Sequence, residues 1–378
     1  MRLRFHAPTI AALSLLALAC DPPTDADDFG VHHPGIDLPD PEPEPEPDPE
    51  PDPDPEPDPD PDPDPELHCG EESLTLTLAE PEIMLVLDKS GSMIANTWDH
   101  DRDAGTAEVT RWASLHGVVS TVAAEHADTM ALGAVLFPAS DVNPFDHADG
   151  CRVETEPAAP LGSEASDLVS ALPAAGATSI GGGTPASAGL AAALQHLDLA
   201  GGEGSKAVIL VTDGAANCSP DADPSERYQR YDETLAVEAA AAAARGGPVY
   251  VVGIDIVDEL VSTPVANPWE RLSEVAAAGG APRSGDTPFY DVFDELEFAE
   301  ALGEIADHVS CRVPTDIDPA VLSMTIDGQP VAAVGACDEA EDGGWVAGEA
   351  GVELCPDTCA LAASHGGVRV TAACSPEP

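Results

Sequence analysis

The segment MLVLDKSGSM, residues 84–93, runs from four apolar residues straight into an aspartate and two serines. Residues 83–88, apolar without alternation up to the closing Asp88, have the pattern of a short strand buried on both faces of a parallel sheet. Such a strand delivers its last residues to the carboxyl edge of the sheet. Here that edge receives Asp88, Ser90 and Ser92 in the spacing D-x-S-x-S. Three oxygen-bearing side chains so placed suit a hard cation, which takes carboxylate, hydroxyl and water oxygens; an ordinary turn accounts for the same three residues.

Outward from this strand the pattern alternates. Val109, Trp112, Leu115, Val118, Val119 and Val122 fall at helical spacing and predict a helix over 108–127. A strand over 131–137 follows, then an alanine-rich helix over 185–197 with Pro185 in its first turn. AVILVT, residues 207–212, and VYVVGI, residues 249–254, read as two more fully buried strands, separated by a helix over 227–245 that Gly246-Gly247-Pro248 stops. Further helices are expected over 269–278 and 295–309. Strands alternating with helices in this way predict an α/β domain with a doubly wound, mostly parallel central sheet and helices on both faces.

In such a sheet, ligands bind beyond the carboxyl ends of the strands, near the point where strand order reverses. Two further oxygen donors fall on loops of that kind. Gly181-Gly182-Gly183-Thr184-Pro185 brings a threonine hydroxyl to the start of a helix, and Thr212-Asp213-Gly214 ends a buried strand on a carboxylate. At these residues the chain resembles the von Willebrand factor type A domain and its metal-ion-dependent adhesion site, whose pattern is D-x-S-x-S, then Thr, then Asp. Asp88, Ser90, Ser92, Thr184 and Asp213 match that pattern in order, and the resemblance spans residues 80–310. It implies a divalent ion, Mg2+ or else Mn2+ or Ca2+, with Ser90, Ser92 and Thr184 as hydroxyl ligands and Asp88 and Asp213 binding directly or through water. Two carboxylates and three neutral hydroxyls leave such an ion attractive to an outside anionic oxygen. The expected function is therefore cation-dependent adhesion or recognition of a protein ligand that presents an Asp or Glu carboxylate.

The charge balance narrows the partners. With 14 Lys+Arg against 70 Asp+Glu, the formal net charge is -56, which repels nucleic acid and anionic lipid surfaces alike. A surface of this kind also suits a salty habitat, so the acidity is not by itself a binding signal. The amino terminus has Arg2 and Arg4, a short apolar run and small residues before Cys20, the layout of an export signal. Leu16-Ala17-Leu18-Ala19-Cys20 resembles the lipobox of bacterial lipoproteins, departing from it in having Ala17 where leucine is usual. The resemblance implies an exported cell-envelope protein held to a bacterial membrane only by lipid on Cys20; the alternative is a secreted protein cut after Ala19. Residues 39–66 alternate proline with Asp or Glu, which predicts an extended spacer of about 90 Å at full reach.

Eight cysteines remain beyond Cys20, an even number that in an oxidising compartment predicts about four disulfides out of 105 possible connectivities. Cys151 and Cys218 fall on loops near the expected site and are candidates to brace its rim. Cys311 and Cys374 bracket the tail and are the expected pair there. Cys355 and Cys359, in CPDTC, read as structural cysteines before a metal or redox pair. The domain scheme is thus a signal peptide over 1–19, a lipid-anchored disordered region with its stalk over 20–66, the α/β domain over 67–311 and a small disulfide-bonded β module over 312–378. A metal-dependent hydrolase is the weaker alternative, since only Asp88 and Asp213 offer a base and no nucleophile motif accompanies them. A structural envelope lipoprotein whose ion merely stiffens the loops is the other.

Overall fold

The computed structural model describes residues 72–76, 80–200, 204–283, 285–315, 319–337, 343–348, 351–365 and 368–372. The expected signal peptide, Cys20, the 39–66 spacer, Cys69 and Cys374 lie outside the described residues. The central sheet has five strands in the spatial order Tyr290–Val292, Val249–Ile254, Lys206–Thr212, Glu82–Asp88, Ala131–Phe137. Every neighbouring pair is parallel. The chain moves outward from Glu82–Asp88 to Ala131–Phe137, then crosses back to Lys206–Thr212 on the other side. The order therefore reverses between Glu82–Asp88 and Lys206–Thr212, whose carboxyl ends carry Asp88 and Asp213, the position where a ligand is expected in such a sheet.

Strand residues alternate between two cores, which is why the runs read as apolar throughout. Ile83, Leu85 and Leu87 join one core with Trp112, Leu115, Val119, Phe298 and Ile305, from helices Arg111–His126 and Glu295–Ser310. Met84 and Val86 join the other with Leu190, Leu194, Leu235, Leu272 and Val275, from helices Ala186–Ala200, Thr234–Ala243 and Pro268–Ala278. Each such side chain, fully buried, stabilises the fold by roughly 1.5–3 kcal/mol relative to exposure. The doubly wound α/β fold is as expected.

Two elements differ from expectation. The helix expected over 227–245 is confined to Thr234–Ala243. Asp232, fully buried, accepts from the Thr234 N–H at 3.1 Å and its hydroxyl at 2.7 Å, starting the helix there. The preceding residues are spent on the site, with Cys218 N–H donating to Arg227 O at 2.9 Å. The edge strand Tyr290–Val292 is additional: three residues, one of them Asp291, give no periodicity to read.

The tail forms two small antiparallel sheets. One has the order Glu72–Leu76, Val368–Ala372, Leu322–Ile326, Gln329–Val331; the other has Arg312–Pro314, Gly351–Leu354, Trp345–Gly348. Asp327 and Gly328, both at positive φ (49° and 75°), make the tight turn between Leu322–Ile326 and Gln329–Val331. Met324, Ile326, Trp345, Val352 and Leu354 form a separate core. Glu72–Leu76, placed with the head by a boundary at 67, pairs instead with Val368–Ala372. The expected Cys311–Cys374 bridge is also corrected: Cys311 is bonded to Cys359, and Cys337 to Cys355. Helix Pro356–Ser364 follows directly on strand Gly351–Leu354, whose Leu354 N–H donates to Cys311 O at 2.9 Å, and its first turn carries Cys359 back to Cys311.

This module sits at the amino edge of the central sheet, away from the crevice. His308 Nε2, near the end of helix Glu295–Ser310, meets Glu353 Oε1 of strand Gly351–Leu354 at 2.6 Å. A cavity of about 110 Å3 between head and module is lined by Ser205, Pro248, Tyr250, Gly280, Arg312 and Glu353 among others. Among the described residues no helix is long and apolar enough to cross a membrane.

Candidate metal centre

Asp88 closes its strand with no exposed surface, and the loop after it is folded by its own carboxylate, which accepts from Ser90 N–H at 2.7 Å on Oδ1. The other oxygen, Oδ2, accepts from the Thr212 hydroxyl at 2.7 Å, across the neighbouring strand. The turn brings Ser90 Oγ to 2.9 Å from Ser92 Oγ, and Ser92 Oγ donates to Asp213 Oδ1 at 2.7 Å. Four of the five sequence-selected residues thus share one hydrogen-bonded chain that spans the two strands flanking the reversal.

Thr184 arrives by its backbone. Gly182 O accepts from Gly91 N–H at 3.3 Å, inside the D-x-S-x-S turn, and Asn217 Oδ1 accepts from Thr184 N–H at 2.6 Å. Asn217 N–H donates back to Thr184 O at 3.0 Å, while Gly183 N–H donates to Gly150 O at 2.9 Å. Glycine is required at 183: a Cβ there would lie 2.6 Å from Cys218 Sγ, 2.7 Å from Tyr228 Cε1 and 2.8 Å from Asn217 Oδ1. The Cys151–Cys218 disulfide joins the two loops that hold this segment, with 5.5 Å between its Cα atoms.

Burial, with the charge of Asp213 second, pushes the Asp88 carboxyl up to about 7, while the Thr212 and Ser90 hydrogen bonds oppose the rise. Lys89, inside the motif, is itself buried; that burial pulls its ammonium down to about 8, and its Nζ donates to Ala139 O at 2.9 Å. It is directed into the loop after the adjacent strand. Among the described residues no three His, Cys, Asp or Glu side chains group as a metal site. A cation here would rest on hydroxyls together with two carboxylates. That all-oxygen set, with a buried carboxylate whose negative charge its surroundings disfavour, fits a hard divalent ion.

Three contributors were not selected from the sequence. Thr212 precedes the chosen aspartate, and Asn217 precedes a cysteine; both act through neighbours invisible in a local pattern. Arg111 is the third. Its Nη1 donates to Asp213 Oδ2 at 3.0 Å, and its Nη2 pairs with the Asp255 carboxylate. Burial works against this guanidinium's charge, but Asp213 and Asp255 together outweigh it and hold it above its ordinary value. A signal was present: an arginine at the first position of a helix, in a chain with very few cations.

No protein-family model matches the chain, and no curated protein matches it. Solved structures similar to it include the hypothetical protein BatB from Bacteroides thetaiotaomicron, at 15% identity and a TM-score of 0.38 over 60% of this chain and 98% of that one. The PilB minor pilin from Streptococcus sanguinis is similar at 14% identity and a TM-score of 0.40, over 61% of each chain. The vWF domain of the pilus tip protein Mfa5 from Porphyromonas gingivalis gives 11% and 0.38, over 62% of this chain and 95% of that domain. At such identities and TM-scores the reading of the site rests on its own geometry.

Proposed function

We propose that the carboxyl edge of the central sheet is a metal-dependent recognition site of the von Willebrand factor type A kind, displayed on the cell envelope. Ser90, Ser92 and Thr184 would supply hydroxyls and Asp88 and Asp213 carboxylates to Mg2+, with Mn2+ or Ca2+ as substitutes. The observation that carries the reading is the chain Ser90–Ser92–Asp213 together with buried Asp88, which brings four of the five proposed ligand residues together at the carboxyl ends of two neighbouring strands. A bound divalent ion would supply a position attractive to an anionic oxygen. The partner would therefore be a protein presenting an Asp or Glu carboxylate in a neutral or basic setting, since the head's own acidity repels an acidic surface. Export and anchoring through lipid on Cys20 place this module outside the cytoplasm, and its activity is binding, not catalysis.

The test is calorimetric titration of Mg2+ and Mn2+ into chelator-stripped protein, beside its Asp88→Ala variant. One saturable site in the wild type, lost in the variant, is expected. No binding by the wild type refutes the metal reading. An Asp213→Ala variant then separates recognition from scaffolding: it should abolish cation-dependent partner binding and leave the fold intact, whereas global unfolding would mark a purely structural ion.

A further inference from the structure

Arg111 is the one cationic side chain in hydrogen-bond contact with the site's carboxylates among the described residues, and its position is built. It begins helix Arg111–His126 after the Thr110 cap, with a side chain only 11% exposed, against an Asp213 side chain that is 1% exposed. The two oxygens of Asp213 are divided: Oδ1 takes the Ser92 hydroxyl at 2.7 Å and Oδ2 takes Arg111 Nη1 at 3.0 Å. The second arm of the guanidinium reaches Asp255, donating also to its backbone carbonyl at 3.4 Å. Asp255 holds a positive φ of 51° and keeps 41% of its side chain in solvent. One buried cation is thus shared between a carboxylate of the ligand set and a carboxylate on the rim.

This arrangement has an electrostatic consequence that depends on the metal reading above. Asp88 and Asp213 together bring two negative charges to a divalent ion, which reduces its attraction for an anionic partner. Arg111 offsets the charge of Asp213 from behind, in a site where surrounding protein screens poorly. We infer that Arg111 is a positioning residue that sets the charge of the site, weakening its hold on the cation and strengthening its hold on an outside carboxylate, with Asp255 drawing off part of that effect. In a chain of net charge -56 such a local cation favours the approach of an acidic group.

The opposed signs make the test. Full-length, chelator-stripped protein is titrated with Mn2+ alone by calorimetry; acetate is then titrated at saturating Mn2+ and followed by water-proton relaxation. An Arg beside an Asp changes the proton affinity of that Asp by about ten- to thousandfold, and for a solvated divalent ion the low end applies. Arg111→Gln should bind Mn2+ about tenfold more tightly and acetate about tenfold more weakly. Asp255→Asn, which leaves the guanidinium to Asp213, should shift both affinities the other way. Unchanged or weaker Mn2+ binding by a stably folded Arg111→Gln protein overturns the inference, as do shifts of the same sign in both variants. If Arg111→Gln does not fold, the sign of the Asp255→Asn shift decides. Wild-type protein that takes up no Mn2+ overturns the metal reading itself, whereas wild-type binding with unshifted variants overturns only the role of Arg111.

Discussion

Replacing both Cys151 and Cys218 by serine should cost stability and metal affinity together, for separable reasons. The bridge closes a sequence separation of 67 residues. For a loop of that length, the chain-entropy relation gives about 4 kcal/mol at 25 °C, so a measured loss of about 2–4 kcal/mol is expected. The local part comes from the site. Gly150, which accepts from Gly183 N–H, immediately precedes Cys151, and Asn217, which accepts from Thr184 N–H, immediately precedes Cys218. The disulfide therefore fixes both hydrogen-bond partners of the segment that presents the Thr184 hydroxyl. Loosening two bonds worth about 1 kcal/mol each should weaken Mn2+ binding by about tenfold, equivalent to about 1.4 kcal/mol. Urea unfolding of the double variant measures the first effect and calorimetric Mn2+ titration the second. A variant that loses less than about 1 kcal/mol and binds Mn2+ as the wild type does would refute the claim that this bridge holds the rim.

Two further outcomes follow from single sites. Gly183→Ala should destabilise by about 1–3 kcal/mol, because its new methyl would meet three atoms under 3.0 Å, one of them in the disulfide; Gly181→Ala, whose nearest atoms lie at 3.8 Å, should fall within about 0.5 kcal/mol of wild type, and thermal unfolding of the pair checks the contrast. Asp291 is pushed up to about 6, chiefly by burial and then by Asp255 and Glu297, and its Oδ1 is buried without a hydrogen-bond partner. Below its ordinary value the carboxyl is protonated in folded and unfolded states alike and costs nothing. As pH rises toward 6 the unfolded chain ionises first, so stability falls, and above pH 6 the loss is complete. The shift alone would amount to about 3 kcal/mol, and solvent access at this partly exposed edge reduces it to about 1. Asp291→Asn should make the fall in stability between pH 4 and pH 7 smaller by about 1 kcal/mol, the part due to Asp88 remaining, which urea unfolding of both proteins at the two pH values would show.

What the sequence made legible was what local chemistry encodes. Strands buried on both faces carry no polar interruptions, so Glu82–Asp88, Ala131–Phe137, Lys206–Thr212 and Val249–Ile254 stand out as runs, and the oxygen donors stand out because they end two of those runs. What stayed hidden depends on distant partners. Arg111 reads as one more polar residue at a helix start until Asp213 and Asp255, 102 and 144 residues away, close around it. The partner of Cys311 is chosen by the path of strand Gly351–Leu354 into its helix, which spacing alone does not give. The alanine-rich stretch before residue 246 keeps helical periodicity at both ends, and only the buried Asp232 shows where the helix begins.

The pairing of Glu72–Leu76 sets where the chain enters the central sheet relative to the site. Its pairing with Val368–Ala372 puts it in the module, which is tied to the end of helix Glu295–Ser310 through the His308–Glu353 pair and the Cys311–Cys359 bridge. Glu82–Asp88 then carries the chain across the sheet, seven residues or about 23 Å at roughly 3.3 Å each, before Asp88 appears at the opposite edge. Glu72–Leu76 and the amino end of Glu82–Asp88 therefore lie at the end of the head away from Asp88 and Asp213.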